Sequence, residues 1–125
     1  MASFGEKIVQ DETFVAQAAL TRGQIVKHGT ADDTCAVAAD SSTEQLGVAH
    51  LDCDSGDPAT IATSGVVLVL MSASGTRGDK VTATTGGKGV VTVTDHQNFL
   101  GYLDANCPGA DVLTPVRIAR GQVSA

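Results

Sequence analysis

The densest apolar run in the chain is Gly65-Val66-Val67-Leu68-Val69-Leu70-Met71. A strand with one face in water alternates apolar and polar residues, because successive side chains point to opposite sides. This run does not alternate, so it predicts a central strand covered on both faces. At seven residues it is far shorter than the roughly 20 needed to cross a bilayer as a helix. Elsewhere the apolar positions come in short groups separated by turn residues. Gln24–His28, Cys35–Ala38, Leu46–His50 and Ala59–Thr63 read as strands before the run, and Lys80–Thr84, Val90–Thr94, Phe99–Leu103 and 112–119 after it. Gly86-Gly87-Lys88-Gly89 supplies the positive-φ freedom of a hairpin turn, and Ser64-Gly65 predicts a bend into the apolar run. No long amphipathic helical period is present. Ser41 and Glu44 have capping-box spacing, but nothing helical follows them.

The order of these elements repeats. Thr21-Arg22-Gly23 matches Thr76-Arg77-Gly78, Val26 matches Val81, Leu46-Gly47 matches Leu100-Gly101, Cys53 matches Cys107 and Asp57 matches Asp111. The offset is about 55 residues at first and 54 later. A duplication is the reading this favours, with copies over roughly 20–71 and 75–121. Gly65–Met71 then ends the first copy and leads towards the second. Two copies give eight or nine short strands, enough for a small barrel or a two-sheet sandwich that protects its edges. The expected fold is all-β: one domain over residues 20–125, preceded by an N-terminal arm over residues 1–19. Phe4, Ile8 and Phe14 lie on that arm, either folding back or docking on a partner; Thr13–Ala16 could add an edge strand.

Composition sharpens this picture. Aromatic residues make up 3% of the 125 residues and Gly numbers 14. The core is therefore built from small side chains and is poor in apolar area, which favours completion by oligomerisation or a partner. The net charge is −6 with pI near 4.7, and there is no Lys/Arg cluster in the sequence. Nucleic acid and an anionic membrane are poor partners for such a chain. The N-terminus lacks the basic and apolar regions of a signal peptide. Synthesis in a cytosol is expected, where Cys35, Cys53 and Cys107 remain thiols; a Cys53–Cys107 disulfide is the alternative.

Candidate chemistry is sparse. Asp52, Asp54 and Asp57 surround Gly56, but the positions that an EF-hand-type loop assigns to Gly and Glu hold Asp57 and Thr63. The three Cys and three His (His28, His50, His96) are scattered without zinc-ligand spacing. Ser64 is not in a nucleophile elbow, and Gly86–Gly89 lacks the phosphate-loop pattern and leads into a strand. No enzyme, metal, cofactor or small-molecule substrate is expected. Arg22 and Arg77 are either surface charges or partners across a subunit contact.

Residues 20 to 121 carry Thr-Arg-Gly-Gln-Ile-Val-Lys, Leu-Gly-Val-Ala, Ser-Gly-Asp-Pro-Ala-Thr-Ile-Ala-Thr-Ser-Gly-Val-Val-Leu-Val, Gly-Asp-Lys-Val-Thr and Leu-Gly-Tyr-Leu in that order. This pattern resembles the capsid decoration (cement) proteins of tailed bacteriophages. The resemblance implies a small β-barrel or β-tulip and a homotrimer. It implies binding to the major capsid protein on the outer surface of the assembled head, at threefold or quasi-threefold positions, with no catalysis. It also implies an arm that reaches the capsid, making Phe4, Ile8 and Phe14 candidate contacts. Deleting residues 2–15 should then abolish binding and spare the fold. Val67, Val69 and Met71, with Arg22 and Arg77, are the candidate subunit interface. The rival reading is a non-enzymatic binding module of another phage structure, such as a tail or baseplate accessory domain or a sugar binder. With four aromatics, two of them on the arm, the chain offers a sugar few rings to stack on.

Overall fold

The computed structural model describes residues 7–42, 44–92 and 97–122. Nine strands form one sheet: β1 (Lys7–Ala16), β2 (Ile25–His28), β3 (Thr34–Val37), β4 (Gly47–Ala49), β5 (Pro58–Met71), β6 (Lys80–Ala83), β7 (Gly89–Val91), β8 (Asn98–Leu103) and β9 (Val112–Gln122). One 3-10 turn, Thr85–Gly87, lies between β6 and β7. Gly86 and Gly87 hold φ of 77° and 76° there, the left-handed backbone that glycine adopts most readily.

The strand order is β1-β3-β2-β4-β5-β7-β6-β8-β9, with two further pairings, β1–β5 and β5–β9. Each further pairing closes a ring. Ring one consists of β1, β3, β2, β4 and the first half of β5. Ring two consists of the second half of β5, β7, β6, β8 and β9. The 14-residue strand β5 belongs to both. Its first half pairs with β1 (Glu12↔Ile61) and β4 (Ala49↔Ile61), and its second half with β9 (Val69↔Thr114) and β7 (Met71↔Gly89).

The handover falls at Gly65, the bend expected from Ser64-Gly65. Its φ is +99°, and opposite it the β1 register slips between Ile8 and Gln10. A β-carbon on Gly65 would lie 2.2 Å from the Lys7 carbonyl oxygen. A bulge of this kind bends a strand and increases its twist, and here it turns β5 from one ring into the other.

The duplication is geometric. Leu20 bridges Cys53, and Gly75 bridges Cys107. The Arg22 amide donates to Asp52 Oδ1 at 2.7 Å, and the Arg77 amide to Asn106 Oδ1 at 2.8 Å. Gly23 and Gly78 both take φ of 95°, and their amides donate to the Ala49 and Leu103 carbonyls. β1 pairs with β3 in parallel and with β5 antiparallel; the second half of β5 pairs with β7 and β9 in the same senses. The run Gly65–Met71 is thus the opening strand of ring two rather than the closing strand of the first copy. Its counterpart in ring one is β1, in the segment expected to be an arm.

Two apolar clusters fill the rings. Ala16, Leu20, Val26, Cys35, Leu46, Ala49, Ala59 and Ile61 form the interior of ring one. The larger cluster holds Val67, Val69, Met71, Val81, Leu100, Leu103 and Val116 of ring two, together with Ile25, Val48 and Ala62 from the outer face of ring one. Ile25, Val48 and Ala62 are in register across β2, β4 and β5. Ring one therefore buries one face of these strands inside itself and the other against ring two. This is why β4 is buried at every position.

Candidate functional site

The described residues offer little for catalysis. No three His, Cys, Asp or Glu side chains among them come together as a metal-binding group. Asp52, Asp54 and Asp57 line an open cleft of about 690 Å³ with Leu20, Cys53 and Pro58. The Asp52 carboxylate there accepts the Arg22 amide, so it closes a turn. The Thr-Arg-Gly repeat has the same job in both rings, because the Arg22 and Arg77 backbones are held by the facing Asp52 and Asn106 side chains.

All three cysteines are free thiols. Cys53 and Cys107 occupy equivalent places in different rings. Burial pushes the Cys35 thiol above its ordinary 9.0, and the neighbouring Cys53 pushes it the same way. Asp40 is lowered by a hydrogen bond from the Ser42 hydroxyl at 2.6 Å and another from the Ser42 amide at 2.9 Å. This is a local turn on the surface.

The residues singled out as contacts fall in three places. Phe4 lies outside the described residues. Ile8 is half-buried against the larger core. Phe14 is half-buried against the ring-one core and meets the His28 ring edge-on at 6.1 Å. Both belong to β1, which is hydrogen-bonded along β5, so removing residues 2–15 would open ring one. Val67, Val69 and Met71 are at most 1% exposed, because the second half of β5 faces the interior of ring two. A second subunit could not reach them without opening that ring. On the opposite face, Leu70 is half-buried and in register with Leu113, which is 41% exposed.

Among the described residues, Val9, Leu51, Val15, Leu113 and Tyr102 are the exposed large apolar side chains, all but Leu51 on strands.

The family model described as phage cement protein matches residues 5–118. The chain belongs to the phage cement protein family. The match takes in β1 and its bulge, outside the 20–121 segment that carried the resemblance in sequence. Among solved structures, the head fiber gp8.5 N base of bacteriophage phi29 shares the fold with a TM-score of 0.73. Identity is 21%, covering 93% of this chain and 98% of that one. Among curated protein sequences none matches. Membership of this cement family makes the chain a head-associated structural protein that binds the phage capsid. Sequence reasoning did not find the role of β1, although Phe14-Val15-Ala16 sits 55 residues before Val69-Leu70-Met71. Extending the repeat offset upstream would have revealed it.

Proposed function

We propose that the chain is a non-catalytic decoration protein of the outer capsid surface. It binds the major capsid protein of the assembled head at threefold or quasi-threefold positions as a homotrimer and stabilises the shell. The observation that carries this reading is the cement-family match over residues 5–118. The fold supports it. Two closed rings sharing one strand leave a compact body with few open edges, suited to sitting on a shell without aggregating. A ligand that binds only the assembled state stabilises that state by mass action, and three copies in one trimer multiply weak contacts through effective concentration. Because Ile8 and Phe14 are engaged by the chain's own cores, the arm contact proposed here rests on Phe4.

Electron microscopy of purified heads with and without the chain tests the placement. Threefold-positioned density that disappears with the chain is expected; density elsewhere on the virion, or none, overturns it. Sedimentation of the purified chain tests the trimer, which would run at three times the 12.6 kDa chain mass.

A further inference from the structure

Charge is divided unequally between the rings. Residues 7–64 hold nine carboxylates and three cations, whereas residues 65–122 hold four carboxylates and five cations. The fold then gathers three of the chain's eight Lys and Arg residues into one line. Lys80 of β6 is in register with Tyr102 of β8, and Tyr102 with Arg117 of β9. Arg117 is in register with Val66 of β5, and Val66 with Lys7 of β1. Directly opposed residues of neighbouring strands share a face. Their neighbours Val81, Leu103, Val116, Val67 and Ile8 point into the larger core, so Lys7, Tyr102 and Arg117 are exposed and Lys80 half-exposed on the outer side, while Val66, 1% exposed, is buried between Arg117 and Lys7. The row crosses five strands, four gaps of about 4.8 Å each, or roughly 19 Å.

The row is built rather than scattered. Lys80 holds its ammonium 5.5 Å over the Phe99 ring, which meets Tyr102 edge-on. Arg117 is steadied by Asp104, 3.4 Å away on the rim, with both side chains still exposed. Among the described residues, neither Lys7 nor Lys80 is paired with a carboxylate. Among the described residues the row thus sets three cations against the one carboxylate of Asp104, beside Tyr102, on a chain whose net charge is −6.

We infer that the accessible side chains of this cross-strand row, Lys80, Tyr102, Arg117 and Lys7, form the face that docks on the head, against a carboxylate-bearing strip of the capsid surface. The inference rests on the shell-binding reading above and says which side of the molecule meets the shell. Complementary charge would orient the protein, ring two towards the shell and acidic ring one away from it, and would hasten encounter.

The test is binding of the purified full-length chain to heads lacking it, in low and in physiological salt. For the wild type, binding that weakens as salt rises is expected. The triple variant Lys7→Glu/Lys80→Glu/Arg117→Glu should lose at least about tenfold in affinity, and Lys27→Glu in ring one should bind like wild type. If the charge-reversed protein does not melt cooperatively, Lys7→Gln/Lys80→Gln/Arg117→Gln decides instead. Wild-type affinity in the folded triple variant, or wild-type binding indifferent to salt, overturns this face and leaves the shell-binding reading standing. Failure of the wild type to bind heads at all overturns both.

Discussion

At the level of single residues, the fold depends on glycines where two backbones touch. Leu46-Gly47 and Leu100-Gly101 were legible in sequence as repeat landmarks, but not the reason for the glycine. A β-carbon on Gly47 would lie 2.2 Å from the Ala62 carbonyl oxygen, and one on Gly101 2.0 Å from that of Arg117. Neither backbone can yield without breaking the β4–β5 or β8–β9 pairing. Gly101→Ala should therefore destabilise by on the order of 3 kcal/mol. Gly78→Ala has φ of +95° to strain but nothing within 4 Å, and should cost about 1 kcal/mol. Urea midpoints of the two variants check the ranking; equal losses would mean that the close approach relaxes. Cys35 gives a second residue-level test. Its thiol is raised above 9.0 by burial, so the folded chain holds that proton more tightly than the unfolded one. The associated stability is complete below about pH 9 and is lost as pH climbs from there through the folded value. Cys35→Ala should remove that part of the alkaline decline, seen as a shallower fall of the thermal midpoint above pH 9 than in the wild type.

At the level of elements, β5 explains both what the sequence disclosed and what it hid. The apolar run 65–71 announced a strand covered on two sides, and nearly every short strand was found in its place, because alternation and glycine punctuation are local signals. The identity of the cover was not local. It comes from ring two, whose β9 partners run from Val112 opposite Met71 to Arg117 opposite Val66, and from β1, whose polar pattern at Gln10, Asp11, Glu12 and Thr13 reads as a solvated arm. Those residues are exposed, yet their backbone is paired to β5 throughout; side-chain pattern reports exposure, not pairing. The same sharing makes a prediction. Met71, fully buried where β5 meets β7, should cost about 3 kcal/mol on truncation to alanine, and the loss should reach both rings. Tyr102 fluorescence reports ring two, and Cys35 accessibility to a thiol reagent reports ring one. In Met71→Ala the two denaturation curves should shift together and remain superimposed. A ring-one curve that stays at its wild-type midpoint would show that the rings unfold separately.

For the molecule as a whole, the division of charge makes two responses to salt run in opposite directions. Nine carboxylates against three cations over residues 7–64 repel one another in the compact state, and no comparable excess exists over residues 65–122. Raising ionic strength from about 0.01 M to about 0.15 M shortens the screening length from about 30 Å to about 8 Å, which relieves that repulsion and should raise the thermal midpoint of the free protein. The ion pairs Lys88–Asp111 and Arg117–Asp104 are both at the surface; such pairs contribute little, so their screening should not reverse the sign. Docking through the cationic row, which Lys7 of β1 shares with Lys80 and Arg117 of ring two, depends on attraction and should weaken over the same range. A protein that becomes more stable while its complex with heads becomes weaker separates self-repulsion in ring one from attraction at that row, since a general effect of salt on the fold would move both together. Calorimetry of the free chain and a binding titration on heads, in matched buffers, give the two slopes. A midpoint that falls with salt would show that surface ion pairs hold the fold more than the excess of carboxylates over residues 7–64 strains it.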